Sequence, residues 1–216
     1  MRRCSGEVQI TVPILPENAR KRELSGMTEG AINLGDLRLF YACPLPPAAL
    51  DALQHIQDTA RRAGWRGRFT DRSGWHITLV FLGTTAPERL PGLERAGAAA
   101  VREAGPLSLR LKGLAALPSS HKVPPRVLVV ELDDPLHRLE RLRQGLLEAL
   151  SLKDTRPYRP HVTIVRLAQD ATQPALPHIA PSALRVVKLD QLVLYESHLL
   201  PDAARYQIRG AWTFSA

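Results

Sequence analysis

The chain reads as an α+β protein made of two related lobes. Three observations predict this. A tetrapeptide of the form His-x-Thr-aliphatic occurs twice, as His76-Ile77-Thr78-Leu79 and His161-Val162-Thr163-Ile164, eighty-five positions apart. Such self-similarity marks duplicated units of structure. Strand-like and helix-like patterns alternate along the chain, which places strands and helices in one mixed fold. The chain has 216 residues, 44% of them hydrophobic, enough to build the core of one domain of ordinary size.

Each element follows from its local pattern. An apolar strand spans 37–43 and stops at Pro44. Pro46 and Pro47 then open a helix, because proline is tolerated in a first turn. Leu50, Leu53, Ile56, Gln57 and Ala60 give that helix its stripe. Residues 66–70 suit a short strand, and 75–82 carry the first motif strand. An Ala-rich helix is predicted from Pro87 to Glu103. "LSLRLKGLAAL" (107–117) alternates as a half-buried strand. "PSSHKVPP" is a loop, since its prolines continue neither helix nor strand. A strand over 126–132 leads into a helix from Pro135 to Leu150, with Leu136, Leu139, Leu142, Leu146 and Leu147 on its buried face. The loop "SLKDTRPYRP" delivers the second motif strand. After the Pro-rich "ATQPALPHIAPS", strands over 184–195 and 205–214 close the chain.

Residues 1–36 lack a periodic apolar face, although "VQITVPIL" could form a short strand. This segment reads as a flexible extension with Met27 as a candidate start, and 37–216 as the single domain. No apolar run is long enough to span a bilayer. The first ten residues carry two arginines but no apolar secretion segment. Cys4 and Cys43 are too few for a disulfide framework, and Cys43 reads as a small core residue. The expected compartment is therefore a reducing cytoplasm, with no membrane partner. The charge balance is basic, 29 Lys+Arg against 21 Asp+Glu, for a net +8. Arg61, Arg62, Arg66, Arg68, Arg72, Arg138, Arg141 and Arg143 carry much of it. They read either as solvated helix faces or as a surface that attracts polyanions such as RNA. Aromatics are only 5% of the chain, a poor basis for an extended single-strand stacking platform.

The duplicated motif carries the chemistry. Residues two apart in a strand share a face. His76 and Thr78 therefore share one face, with Ile77, Leu79 and Phe81 on the other. His161 and Thr163 repeat the arrangement against Val162 and Ile164. An apolar-backed strand gains nothing in packing from a histidine on its front. Two such strands facing each other place two imidazoles and two hydroxyls around one cleft. Imidazole titrates near neutrality and can serve as acid or base. The hydroxyls can meet negative charge developing on a phosphoryl group. The other five histidines show no metal-ligand spacing, and no Cys-x-x-Cys or paired-Asp signature occurs. No glycine-rich nucleotide loop is present. Neither metal nor cofactor is implied.

These residues give the chain its resemblance to a known family. "LRLFYACPLPP", "WHITLVFLG", "PRVLVVEL", "RPYRPHVTIVRL" and "LVLYESHLLPDAARYQIRGAW" occur in family order from Leu37 onward. Together they resemble the 2H phosphoesterases, specifically the bacterial and archaeal RNA 2′,3′-cyclic phosphodiesterases once called 2′-5′ RNA ligases. The resemblance implies a bilobal fold with a pseudo-twofold axis and antiparallel sheets lining a central cleft. It implies metal-independent hydrolysis of RNA 2′,3′-cyclic phosphate ends to 2′-phosphate ends, together with reversible 2′-5′ RNA joining at the same site. His76 matches the proton donor to the leaving 3′-oxygen, and His161 the base that activates water. Near-symmetric motifs do not by themselves settle that order. Thr78 and Thr163 match phosphate contacts. Arg166 matches an arginine that contacts the phosphate, although strand parity turns it away from His161 unless a bulge re-aims it. Tyr158 is a candidate base or ribose contact, or a packing residue; Arg126, Arg156 and Arg159 are weaker candidates for RNA. The expected partner is an RNA with a cyclic phosphate end, and the expected state a monomer. Two other readings share these residues. One is a phosphodiesterase of 2′-5′ oligonucleotides or small cyclic nucleotides. The other is a non-catalytic RNA-end or nucleotide-binding module, for which degraded motifs would have been the sign.

Overall fold

A computed structural model describes residues 10–12, 35–119, 123–199 and 204–214. It contains strands β1 (Ile10–Val12), β2 (Leu37–Pro44), β3 (Gly67–Phe69), β4 (His76–Thr85) and β5 (Leu107–Leu117). These are followed by β6 (Val127–Asp133), β7 (His161–Leu167), β8 (Val186–Leu189), β9 (Gln191–Leu199) and β10 (Ala204–Thr213). Among the described residues three α-helices intervene: α1 (Pro47–Arg62), α2 (Leu90–Ala104) and α3 (Arg138–Ala149).

The strands form two five-stranded sheets with the orders β1-β10-β9-β2-β4 and β3-β7-β6-β5-β8, and every pairing is antiparallel. The two halves repeat one plan. Strand β2, helix α1 and motif strand β4 in the first half match β6, α3 and motif strand β7 in the second. The helices cross over between the halves. Helix α1 follows β2 of the first sheet but packs against β7 and β8 of the second, whereas α3 follows β6 of the second sheet and packs against β4 of the first. One main core runs from Leu39 and Tyr41 through Ile77, Leu139 and Ile164 to Leu194 and Phe214. Burying this continuous apolar surface is the main drive for joining the lobes.

The structure departs from the sequence reading in several places. The strand predicted over 184–195 is two strands in different sheets, β8 and β9, separated by Asp190 alone. The helix predicted from Pro135 starts at Arg138, because the Asp134 carboxylate accepts from the backbone N–H groups of Arg138, Leu139 and Glu140. Leu136 therefore precedes the helix and is 63% exposed rather than buried. Arg143, grouped by sequence with solvated arginines, is buried. Finally, the first turn of the helix predicted from Pro87 is 3-10, and α2 begins at Leu90.

The short strand read in "VQITVPIL" is present as Ile10–Val12, paired with β10. Residues 1–9 and 13–34 of the expected extension, including Met27, and His121 lie outside the described residues. Among the described residues no helix is long and apolar enough to cross a membrane.

Candidate active site

His76 and His161 begin β4 and β7, two strands that approach each other between the sheets. The backbone fixes both rings in the same way. His76 Nδ1 lies 2.8 Å from the carbonyl oxygen of Gly74, and His161 Nδ1 lies 2.7 Å from that of Arg159. A carbonyl only accepts, so each Nδ1 carries the proton and donates it. Each Nε2 is thereby left for the cleft, as lone pair or as N–H. Thr78 and Thr163 follow on the same face as their histidines.

Both motif strands then break their alternation at the same place. In β4, Tyr41 pairs with Val80 and Ala42 with Thr78, so Leu79 is an extra residue. In β7, Leu128 pairs with Val165 and Val129 with Thr163, so Ile164 is extra. A bulge of this kind flips the parity of everything beyond it. Simple alternation turns Arg166 away from His161, whereas the bulge returns it to the cleft face, beside Thr163. The same shift moves Phe81 to the face of His76, contrary to its predicted place beside Ile77 and Leu79; its ring is 66% exposed.

The two bulges are held by matching crossed contacts. At β7, the buried Gln57 of α1 donates to the Ile164 and Thr70 carbonyls at 2.8 and 2.9 Å, and Thr70 Oγ1 donates to the Thr163 carbonyl at 2.9 Å. At β4, Arg143 of α3 donates to the Leu79 carbonyl at 3.2 Å, and Tyr158 Oη donates to the Thr78 carbonyl at 3.0 Å. The segment leading into each motif thus grips the threonine carbonyl of the other. Trp75 Nε1 donates to Thr70 Oγ1 at 2.8 Å and ties that segment to His76 itself. Arg143 also stacks over the Tyr158 ring, 5.0 Å from its centre, and pairs with Asp154 at 2.7 Å. Tyr158 is thus held between the Arg143 guanidinium and the Thr78 carbonyl.

The electrostatics are uneven across the cleft. His76 sits among Phe40, Tyr206 and Tyr195, with ring centres 5.0, 5.3 and 6.0 Å away. Burial in this aromatic nest lowers its pKa to about 4; the Gly74 contact opposes that shift, while Arg166 and His161 add to it. The charges of Arg166 and His161 are therefore felt at His76. Arg166 stands directly across from Arg68 of β3. Burial pulls the Arg166 pKa down, and its Nε has no partner among the described residues. A buried guanidinium nitrogen without an acceptor is a costly feature that a bound oxyanion would satisfy. Gly67 makes this approach possible, because a side chain there would collide with the Arg166 carbonyl of β7.

Several contributors were missed by the sequence reading. Phe40, Tyr195 and Tyr206 build the wall behind His76, forming a small cluster on the cleft face of the first sheet with Ala42 and Val193. Glu131 pairs in register with His161 and receives Arg159 Nε at 2.9 Å, which occupies an arginine considered for RNA. Arg156, another, is tied to Asp154. A pocket of about 150 Å³ lies beside His76, lined also by Trp75, Tyr195 and Tyr206. It is lined by one motif histidine, His76, and not by His161, and a larger groove of about 450 Å³ between α1 and Ser182–Arg185 is lined by neither. Among the described residues no group of three or more His, Cys, Asp or Glu is arranged to hold a metal ion.

Comparison with known proteins points the same way. Residues 39–199 match the family model described as the 2′-5′ RNA ligase superfamily. The protein named RNA 2′,3′-cyclic phosphodiesterase from Geobacillus stearothermophilus is 31% identical over 166 residues, 74% of this chain and 52% of that protein. The chain therefore spans about half the length of that relative. The protein of the same name from Thermus thermophilus is 32% identical over 152 residues, 66% of this chain and 74% of that protein. In structure, TT0787 of Thermus thermophilus aligns with a TM-score of 0.68 at 28% identity, over 82% of this chain and 98% of that one. Apo LigT of Escherichia coli aligns with a TM-score of 0.65 at 24% identity, over 84% and 99%, a likeness of fold.

Proposed function

This chain belongs to the 2′-5′ RNA ligase superfamily, and from that premise we propose that it hydrolyses RNA 2′,3′-cyclic phosphate ends to 2′-phosphate ends without a metal ion. The observation that carries this reading is the matched pair of histidines, each with Nδ1 tied to the carbonyl two residues upstream. That tie leaves two Nε2 atoms for one phosphate, one on each lobe.

His161 Nε2 takes a proton from water as the water oxygen attacks phosphorus. The bond from phosphorus to the 3′-oxygen breaks, and His76 gives that oxygen its proton. The 2′-ester bond survives, so the product carries a 2′-phosphate and a free 3′-hydroxyl. Thr78, Thr163 and Arg166 meet the charge on the phosphoryl oxygens. Burial keeps His76 neutral in the free protein, so its role as donor requires the bound anion. A phosphate beside Arg166 offsets the guanidinium and adds negative charge, both of which raise the His76 pKa. With a 5′-hydroxyl in place of water as the nucleophile, the same groups would join the two ends through a 2′-5′ linkage, the 3′-oxygen leaving as before. One chain supplies both motifs, so a monomer suffices.

The test is incubation of the pure protein, in EDTA, with an oligonucleotide ending in a 2′,3′-cyclic phosphate. The reading expects full conversion to a 2′-phosphate end. No conversion, or loss in EDTA restored by one divalent metal, contradicts it.

A further inference from the structure

The two histidines differ in what stands beside them across the strand. The cross-strand neighbour of His76 is Pro44, whose side chain neither donates nor accepts a hydrogen bond. The neighbour of His161 is Glu131. Directly opposed residues share a sheet face with Cβ atoms about 5 Å apart, so the Glu131 carboxylate stands on the cleft face beside the His161 ring. Its two oxygens are used unequally. Arg159 donates to Oε1 from Nε at 2.9 Å and again from Nη2, while its Nη1 donates to Ser119 Oγ at 2.9 Å. Among the described residues nothing donates to Oε2. The Glu131 side chain keeps 18% of its surface exposed, so the carboxylate can be reached from the cleft while Arg159 holds it still. Gly113 of β5 continues the same row on the far side of Glu131, and a Cβ placed there would meet no atom within 4 Å. Along this row the cleft therefore presents open space, an unused carboxylate oxygen and then an imidazole.

Resting on the hydrolase reading above, we propose that Glu131 is a third catalytic residue, whose Oε2 accepts one hydrogen of the attacking water while His161 Nε2 accepts the other. The proton taken by His161 leaves the water oxygen as that oxygen bonds to phosphorus and the 3′-oxygen departs with the proton of His76. The second hydrogen stays where it is and becomes the P–OH of the 2′-phosphate. Glu131 therefore gains no proton. By fixing both O–H bonds it aims a lone pair of the water at phosphorus. The 5′-hydroxyl of an RNA has a single hydrogen, which His161 takes, and carries carbon where water carries its second hydrogen. That carbon lies against the carboxylate oxygen and displaces its solvent without offering a hydrogen bond, which is costly. Glu131 thus favours hydrolysis over joining at a site whose acid and base serve both.

The test is competition between water and methanol, which stands in for the 5′-hydroxyl, for a nucleoside 2′,3′-cyclic monophosphate in EDTA. Initial rates of formation of the 2′-phosphate and of its methyl ester are read for wild type, Glu131→Gln and Glu131→Ala. In Glu131→Gln the amide oxygen must face Arg159, which only donates, so the amide N–H groups face the water and oppose its hydrogen. Hydrolysis should fall roughly tenfold or more in both variants, the scale of one hydrogen bond to a charged group. Methyl ester formation should not fall, so the ratio of ester to 2′-phosphate should rise by the same factor. Both variants should melt close to wild type, because a partly exposed ion pair adds little to stability. A role confined to steadying Arg159 and the His161 ring would slow both reactions equally. An unchanged ratio, or undiminished hydrolysis, overturns the proposal and leaves the hydrolase reading intact. A wild type that opened the ring with neither nucleophile would overturn the hydrolase reading, and this role with it.

Discussion

His76 and His161 make the same backbone contact on opposite lobes: each ring donates from Nδ1 to the carbonyl of the residue two positions before it. The equivalence ends there, because His76 is set against three aromatic rings while His161 begins its strand next to Glu131. One plan used twice has produced two imidazoles in different surroundings, a usual way to divide acid and base duties within a pair.

The pKa of His76 offers a direct check. An imidazole-resolved NMR titration should find its midpoint near 4 in the free protein. Arg166→Gln should raise the midpoint, because the guanidinium contributes to lowering it, and saturating inorganic phosphate should also raise it. A midpoint at the ordinary value of about 6.5, unmoved by either change, would refute the burial described here.

The same shift links pH to stability. The folded pKa of His76 lies below that of the unfolded chain, so the unfolded chain binds the proton first as pH falls. This contribution to stability is intact above about pH 6.5, declines as pH falls towards the folded value, and levels off below it. Denaturant melts at a series of pH values should show this decline in wild type and a smaller one in His76→Ala. Identical pH dependence in the two proteins would contradict the sign argued here.

Thr78→Val and Thr163→Val keep shape but remove the hydroxyls. Each should lower kcat by about 100-fold, the scale of losing one oxyanion donor, with little change in melting temperature. Steady-state kinetics beside a thermal melt reads both. Unchanged kcat in both variants would remove the threonines from the phosphate site.

Gln57→Leu withdraws the donor from the Thr70 and Ile164 carbonyls. Loss of buried hydrogen bonds of this kind costs about 1 to 3 kcal/mol. The melting temperature should fall, and kcat should fall too, because the bulge that aims Arg166 loses its main side-chain anchor. A variant with unchanged melting temperature and kcat would show that the bulge needs no such anchor.

Much of this site was legible in the sequence, and the failures share a cause. The repeated His-x-Thr reports its own geometry, because two residues of one strand face need no tertiary information. The faces of Arg166 and Phe81 did require it, since each depends on one inserted residue. The signal was present as adjacent aliphatics, Leu79-Val80 and Ile164-Val165, directly after an alternating His-x-Thr start. Gln57 within an apolar helix stripe was a comparable signal, since a polar group on a buried face needs a specific partner. Arg143 sits among leucines on α3 in the same way. The split of 184–195 into two strands was not legible, because both halves are apolar and only Asp190 marks where the chain changes sheets.

The most direct test of the central claim is the rate of cyclic phosphate opening by His76→Ala, His161→Ala and the double variant, measured in EDTA on one oligonucleotide. Each single change should cost about 10² to 10⁴-fold, and the double variant should lose far less than the product of the two, because acid and base act as a unit. Circular dichroism should show all three folded. Near-wild-type turnover by either single variant would contradict the two-histidine mechanism.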